Sequence, residues 1–209
     1  MISKQYLSKG QWAAIVIVAI LLIDQCIKLW VKTNMSLHES IHITNWFYIT
    51  FIENNGMAYG MQLGSKLLLS LFRVVAISIL GYYIWKTAHK DSRTSYVLCL
   101  SMIMAGAMGN LIDCMFYGLI FDASTPYSLS GFVPFGDGYA PFLMGKVVDM
   151  FYFPLIVTTY PDWFPWWGGE EFIFFSPVFN FADAAISVGV ALLILFFRRE
   201  ISEITLKRE

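Results

Sequence analysis

Charge is what this sequence has least of: 14% of its 209 residues are Asp, Glu, Lys or Arg, while 57% are hydrophobic and 17% aromatic. A soluble domain carries about a quarter charged residues, so the composition excludes an ordinary soluble fold and points to lipid as solvent. With a formal net charge of -1 there is no basic excess, which excludes a nucleic-acid partner. Cysteine is scarce and odd in number. At least two of Cys26, Cys99 and Cys114 lie in or beside apolar runs, which excludes a disulfide framework and suits small buried hydrophobes. The three histidines, His38, His42 and His89, are scattered, and no Cys/His cluster has zinc spacing, so neither a metal nor any other cofactor is expected. Internal repeats and low-complexity tracts are also missing, and nothing divides residues 1–209 into more than one integral membrane domain.

What is present is a set of long apolar runs. A membrane helix needs about 20 such residues to cross roughly 30 Å of hydrocarbon. Four runs qualify: about 12–31, 67–85, 96–116 and 179–197, the last stopping at Arg198 and Arg199. The first follows Lys4 and Lys9 as a signal peptide would. It has no small-residue cleavage site, however, and runs past Asp24 to full spanning length, so it reads as a retained helix. Lys and Arg mark cytoplasmic segments. Lys4 and Lys9, then Lys86, Lys90 and Arg93, then Arg198, Arg199, Lys207 and Arg208 place both termini inside, leaving loops 32–66 and 117–178 outside. Residues Ile41 to Ile52 favour strand. The second loop has turn signals at Pro134, at Gly136-Asp137-Gly138 and at Gly168-Gly169, and aromatics at Trp163, Phe164, Trp166 and Trp167. Such a loop should form small sheet elements and lie on the outer membrane surface. The expected fold is an all-α membrane bundle of four transmembrane helices, with a small extracytoplasmic β element and a surface loop or helix.

On this topology the ionisable residues inside the spans gather near one face. Asp24, Gln25 and Lys28 fall in the outer half of the first span, Asn110 and Asp113 near the outer end of the third, and Asn180 and Asp183 in the first turns of the fourth; Asp149 lies in the outer loop. A charge at a helix centre costs about 2.5 to 3.5 kcal/mol on insertion scales, so each needs a reason. Structural reasons exist. Asp24 and Lys28 are spaced for a helix ion pair, Asn110 and Asp113 follow the small run Ala105-Gly106-Ala107 and suit polar contacts between helices, and Asn180 or Asp183 suits a helix N-cap. Arg73 reads as a snorkelling side chain. Convergence suggests more. Two facing carboxylates cannot both ionise cheaply, so they share a proton and can act as general base and acid toward a water between them, as aspartic proteases require. Asp149 and Asp183, one from a loop and one from a helix start, are the pair best placed to face each other across a substrate.

At these residues the chain resembles lipoprotein signal peptidase, or signal peptidase II. Asp24-Gln25-Cys26-Ile27-Lys28 resembles D-Q-x-x-K, Glu53-Asn54-Asn55-Gly56-Met57-Ala58-Tyr59 resembles E-N-x-G-x-A-[FY], and Gly109-Asn110-Leu111-Ile112-Asp113 resembles G-N-x-x-D. Val147-Val148-Asp149-Met150 resembles V-V-D-F, and Pro177-Val178-Phe179-Asn180-Phe181-Ala182-Asp183 resembles P-x-F-N-x-A-D. The five occur in the family's order. The resemblance implies a catalytic dyad at Asp149 and Asp183, residues lining or bracing the site at Asn54, Gly56, Asn110, Asp113 and Asn180, and a structural pair at Asp24 and Lys28. It implies a monomeric enzyme of the bacterial inner membrane that needs no cofactor. The implied partners are membrane lipids and a diacylglyceryl-modified prolipoprotein, cut on the N-terminal side of its lipidated cysteine. Gly56 would let an extended backbone approach closely.

Two features depart from the family pattern. Cys114 stands where an Arg usually follows the Asp of G-N-x-x-D, with Arg73 or Lys146 as possible replacements, and the stretches on either side of Asp149 are longer than is common. The rival readings are a small ion- or proton-coupled transporter and an inactive membrane scaffold. A transporter would place its polar groups near the midplane on broken helices, often in repeated halves.

Overall fold

The computed structural model describes residues 7–55 and 65–206. Gly56, expected at the site, lies outside the described residues. Helix α1 (Lys9–Asn34) opens with a capping box in which the Ser8 hydroxyl accepts from the Gln11 amide and the Gln11 side chain accepts from the Ser8 amide. Strands β1 (Ser40–Thr44) and β2 (Phe47–Asn54) form a hairpin over the stretch that the sequence marks for strand. Helices α2 (Lys66–Ala88) and α3 (Thr94–Ile112) follow. A π-helical turn, Asp113–Tyr117, then carries α3 into the short helix α4 (Gly118–Ile120).

Beyond a long irregular segment come β3 (Val147–Tyr152), the hairpin β4 (Ile156–Thr159) and β5 (Glu171–Phe174), and β6 (Val178–Phe179). The chain closes with α5 (Phe181–Phe196) and α6 (Arg198–Leu206). The larger sheet has the order β1-β2-β3-β6, with neighbours antiparallel. The two strands β4 and β5 form a sheet of their own.

Among the described residues, three helices are long and apolar enough to cross a membrane: α1, α2, and α3 with its continuation to Ile120. Helix α5 is apolar but has 16 residues, about 24 Å at 1.5 Å per residue, short of a full hydrocarbon core. Among the described residues the architecture is therefore three long apolar helices, one shorter one and two small sheets, and the surface elements described in 117–178 are mainly strands and turns.

The helices are organised in reverse of a water-soluble bundle. Along α1 the fully buried positions include Asp24, Lys28 and Lys32, whereas Ile15, Val18, Leu22, Ile23 and Trp30 are exposed. Helix α2 exposes Leu68, Phe72, Val75 and Ile79 in the same way. Lipid accepts an apolar face, while charges must find partners inside the protein. Small residues let the helices approach: a side chain at Gly106 would come within 2.2 Å of the Ala182 carbonyl oxygen, and one at Gly109 within 2.6 Å of Asp24 Oδ2. A cluster formed by Val31, Met35, Phe51, Tyr117, Phe121, Val148 and Met150 fastens the sheet to the end of the bundle.

Candidate active site

The residues singled out from the sequence meet where the sheet rests on the helix ends. Strand β3 presents Asp149 opposite Ile52 of β2, and Asn54 lies two residues further along the same strand, paired with Val147. Asp149 is 2% exposed and each of its oxygens has an amide donor. Oδ2 accepts from Asn54 Nδ2 at 3.1 Å, and Oδ1 accepts from Asn180 Nδ2 at 2.7 Å.

Asn180 is the N-cap of α5, and its Oδ1 accepts from the backbone amide of Asp183 at 2.9 Å. The capping role available from sequence is therefore real, but the same side chain also holds Asp149. Its Nδ2 is shared with Asn110 Oδ1 at 3.0 Å, and Asn110 Nδ2 donates to Asp183 Oδ1 at 2.7 Å. Asp149 and Asp183 are thus joined through Asn180 and Asn110, one asparagine from each of two packed helices. Burial raises the Asp149 carboxyl most, and the nearby charge of Asp183 adds to it. The bonds from Asn54 and Asn180 and the charge of Lys28 oppose them, and the carboxyl is pushed up to about 7.

Beneath this chain sits Lys28, fully buried. Its ammonium reaches Asp24 at 2.9 Å, Asp113 at 2.8 Å and Asn110 Oδ1 at 2.9 Å. The i, i+4 pair is therefore half of a three-helix junction. Asp24 Oδ1 accepts from the Ala182 amide at 2.9 Å at the start of α5. Asp113 Oδ2 accepts from the Val148 amide at 3.3 Å, next to Asp149. Gln25 donates to Asp113 at 2.9 Å, and its oxygen accepts from the Tyr117 hydroxyl at 3.2 Å. The π-helical turn that begins at Asp113 leaves Asp113, Cys114 and Tyr117 all buried.

A second buried charge cluster was not anticipated from the sequence. Lys32, one turn beyond Lys28 and fully buried, pairs with Glu53, whose other oxygen accepts from Lys146 at 2.8 Å. Ser124 bonds both Lys32 and Glu53, and the Lys32 ammonium lies 4.9 Å from the Tyr139 ring centroid. Burial acts to raise Glu53, but the two lysines more than offset it and hold the carboxyl below its usual range. The available signal was the four-residue spacing of Asp24, Lys28 and Lys32, which places all three on one stripe of α1. At Cys114, Arg73 Nη1 of α2 donates to Sγ at 3.3 Å, while Lys146 is engaged with Glu53.

The model of the peptidase A8 family, signal peptidase (SPase) II, matches residues 16–199. A lipoprotein signal peptidase of Porphyromonas gingivalis is 50% identical over 197 residues, covering 94% of this chain and 87% of its own length. One from Amoebophilus asiaticus is 39% identical over 194 residues, covering 90% and 78%. Among solved structures, a bacterial membrane enzyme determined by the in meso method at 2.3 Å superposes with a TM-score of 0.61 at 22% identity, covering 91% of this chain and 90% of that one. A second, at 1.9 Å, superposes with a TM-score of 0.58 at 23% identity, covering 88% and 90%. The structural likeness supports the fold, and the family match, which spans all five motifs, shows that this chain belongs to the signal peptidase II family.

Proposed function

We propose that this protein removes the signal peptide from diacylglyceryl-modified prolipoproteins, cutting N-terminal to the lipidated cysteine, with Asp149 and Asp183 as the catalytic pair. The observation that carries the reading is the hydrogen-bonded path from Asp149 through Asn180 and Asn110 to Asp183. A pair of carboxylates held this way and sharing one proton has one member ready to take a proton from water and the other ready to give one to the scissile amide. The raised Asp149 carboxyl makes it the natural holder of the shared proton near neutral pH.

Water attacks the carbonyl carbon as the ionised partner accepts its proton. The protonated partner donates first to the developing oxyanion, and collapse of the tetrahedral intermediate passes a proton to the departing amine. Asn54, with Gly56 just beyond it, would lie along the extended substrate backbone, while Asn110 and Asn180 fix the dyad. Asp24, Lys28 and Asp113 hold the three helices beneath it.

In this reading α1, α2, α3 and α5 all span the inner membrane, both termini are cytoplasmic, and the site opens at the outer face. The loop charges support that orientation. The enzyme acts as a monomer without cofactor or nucleic acid. The signal helix can then remain among the spans while the acyl chains of the substrate remain in lipid. A transporter is disfavoured because the carboxylates collect at one end of the helices, against the sheet, rather than along a path between them.

Cleavage of a diacylglyceryl-modified precursor and of the same unmodified precursor, by purified enzyme in lipid, tests reaction and substrate class together. The modified precursor should be cut and the unmodified one left intact, with no effect of a chelator. Equal cleavage of both would overturn the substrate assignment, and ion flux in proteoliposomes without proteolysis would overturn the peptidase.

A further inference from the structure

Between the two aspartates the chain makes a detour that the site geometry does not use. The β4–β5 hairpin leaves the sheet after Phe153 and returns at Phe175, and among the described residues its strands pair only with each other, from Ile156 opposite Phe174 to Thr159 opposite Glu171. A lone two-stranded hairpin is at best marginal in water. This one is also apolar on its surface: Leu155, Ile156, Val157 and Phe174 are exposed along its stem.

Its tip is ordered by its own rings. Tyr160 stacks on Phe164 at 5.0 Å and meets Phe172 edge-on at 5.2 Å, while the Gly168 and Gly169 amides donate to the carbonyls of Phe164 and Tyr160. Outside that knob stand Trp163, 79% exposed, and Trp166, 87% exposed and held at a φ of 69°. Positive φ is costly for so bulky a residue.

The position of the root indicates what covers this surface. Phe153 stacks on Phe47 at 4.7 Å and on Phe179 at 5.6 Å, and also lies against the exposed Trp46, in the sheet that caps the ends of α1 and α3. Asn180 and the apolar helix α5 begin directly after β6. The hairpin therefore leaves the protein at the level where its apolar helices end, beside the headgroup zone in which Trp and Tyr concentrate. Its charge argues against an electrostatic partner of negative sign: no Lys or Arg occurs between Lys146 and Arg198, and the hairpin carries Asp162, Glu170 and Glu171.

We propose that the β4–β5 hairpin lies in the lipid interface of the leaflet beside the site, with Trp163, Trp166 and Trp167 as its anchors and zwitterionic lipid as its contact. The link between Asp149 and Asp183 is thereby held at the membrane surface.

The test uses the full-length protein in phosphatidylcholine vesicles and compares wild type with the variant W163F/W166F/W167F. The emission lost in the variant should be blue-shifted, quenched by lipids brominated near the carbonyl end of the chains, and little affected by aqueous acrylamide. The single variants W163F and W166F should each remove a part of that signal, which guards against a folding defect in the triple. Adding anionic phosphatidylglycerol should leave the lipid quenching unchanged or weaken it. A red-shifted, acrylamide-quenched signal would overturn the proposal, as would stronger lipid quenching on adding anionic lipid. Protection that develops only with lipidated precursor would also overturn it, because the hairpin would then be a substrate contact. None of these readouts requires cleavage, so they fail or succeed independently of the peptidase reading.

Discussion

Lys28 and Lys32 stand one helical turn apart on α1, both fully buried, yet they serve opposite balances of charge. Lys28 is one cation between two carboxylates, Asp24 and Asp113. Lys32 is one of two cations on a single carboxylate, Glu53. Their networks also reach the candidate dyad by different routes. From Lys28 the path runs through Asn110 to Asp183, and from Lys32 it runs to Glu53, whose chain neighbour Asn54 donates to Asp149. The first junction ties helix to helix and so holds the bundle. The second ties the end of α1 to β2, to Ser124 and to the entrance of β3, and so holds the sheet over the bundle. One helix therefore supports both halves of the site, by two interactions that should fail differently.

Substitution at the dyad should outweigh both. Asp149→Asn and Asp183→Asn should each lower cleavage of a lipidated precursor by on the order of 10³-fold or more, within the range of lost general acid–base catalysis, with the protein still folded in lipid. A loss confined to one of them would mean that the two carboxyls do not act as a pair.

Lys28→Met should come next, as a failure of folding. It leaves Asp24 and Asp113 buried near each other without their cation, a loss of about 3 to 5 kcal/mol for a broken buried pair, seen as lost yield of monodisperse protein. Glu53→Gln should cost less, about 1 to 3 kcal/mol, because Gln can still bond Ser124 and one lysine. Its larger mark should be on turnover, through the position of Asn54. Equal losses of folded yield from the two variants would break the distinction between a bundle junction and a sheet junction.

Lys146→Met should be the mildest, below about 1 kcal/mol, since the Lys146 side chain is 39% exposed and Lys32 keeps its bond to Glu53. Thermal unfolding of these variants side by side in one lipid composition gives the order directly.

Much of the site was legible because ionisable residues in apolar spans are conspicuous. Asp24, Lys28, Asn110, Asp113, Asn180 and Asp183 stand out from their surroundings, and the structure brings all six together with Asn54 and Asp149. Lys32 was not legible. A lysine at the end of a span is ordinarily a snorkelling side chain, and its burial depends on Glu53, Ser124 and Tyr139, which reach it only after the sheet has formed. Ser124 and Tyr139 lie in an irregular segment with no periodicity to read. The hairpin between Asp149 and Asp183 was partly legible, from the Gly168-Gly169 turn and its aromatics, but strand pairing depends on contacts between Ile156 and Phe174 that local pattern does not specify. The π-helical turn at Asp113 has no sequence signature of its own. The fourth apolar run was visible as a run, but the structure gives it 16 residues of regular helix, ending at Phe196.

In the proposed site two carboxylates share one proton, with Asp149 as its holder. A carboxyl raised by folding favours the protonated form in the folded state. Its contribution to stability is full below the ordinary carboxylate range and is lost as pH rises through about 7. The shared proton leaves at the upper end of that interval. The most direct measurement is the pH dependence of kcat/KM for a lipidated precursor, with Asp149→Asn as the control for stability. Wild-type thermal stability should decline as pH rises from the ordinary carboxylate range to about 7 and level off above it, wild-type cleavage should fall as pH passes about 7, and Asp149→Asn should be inactive and lack that decline in stability. Cleavage that stays constant or keeps rising well into the alkaline range, with Asp149→Asn showing the same stability profile as wild type, would contradict the account.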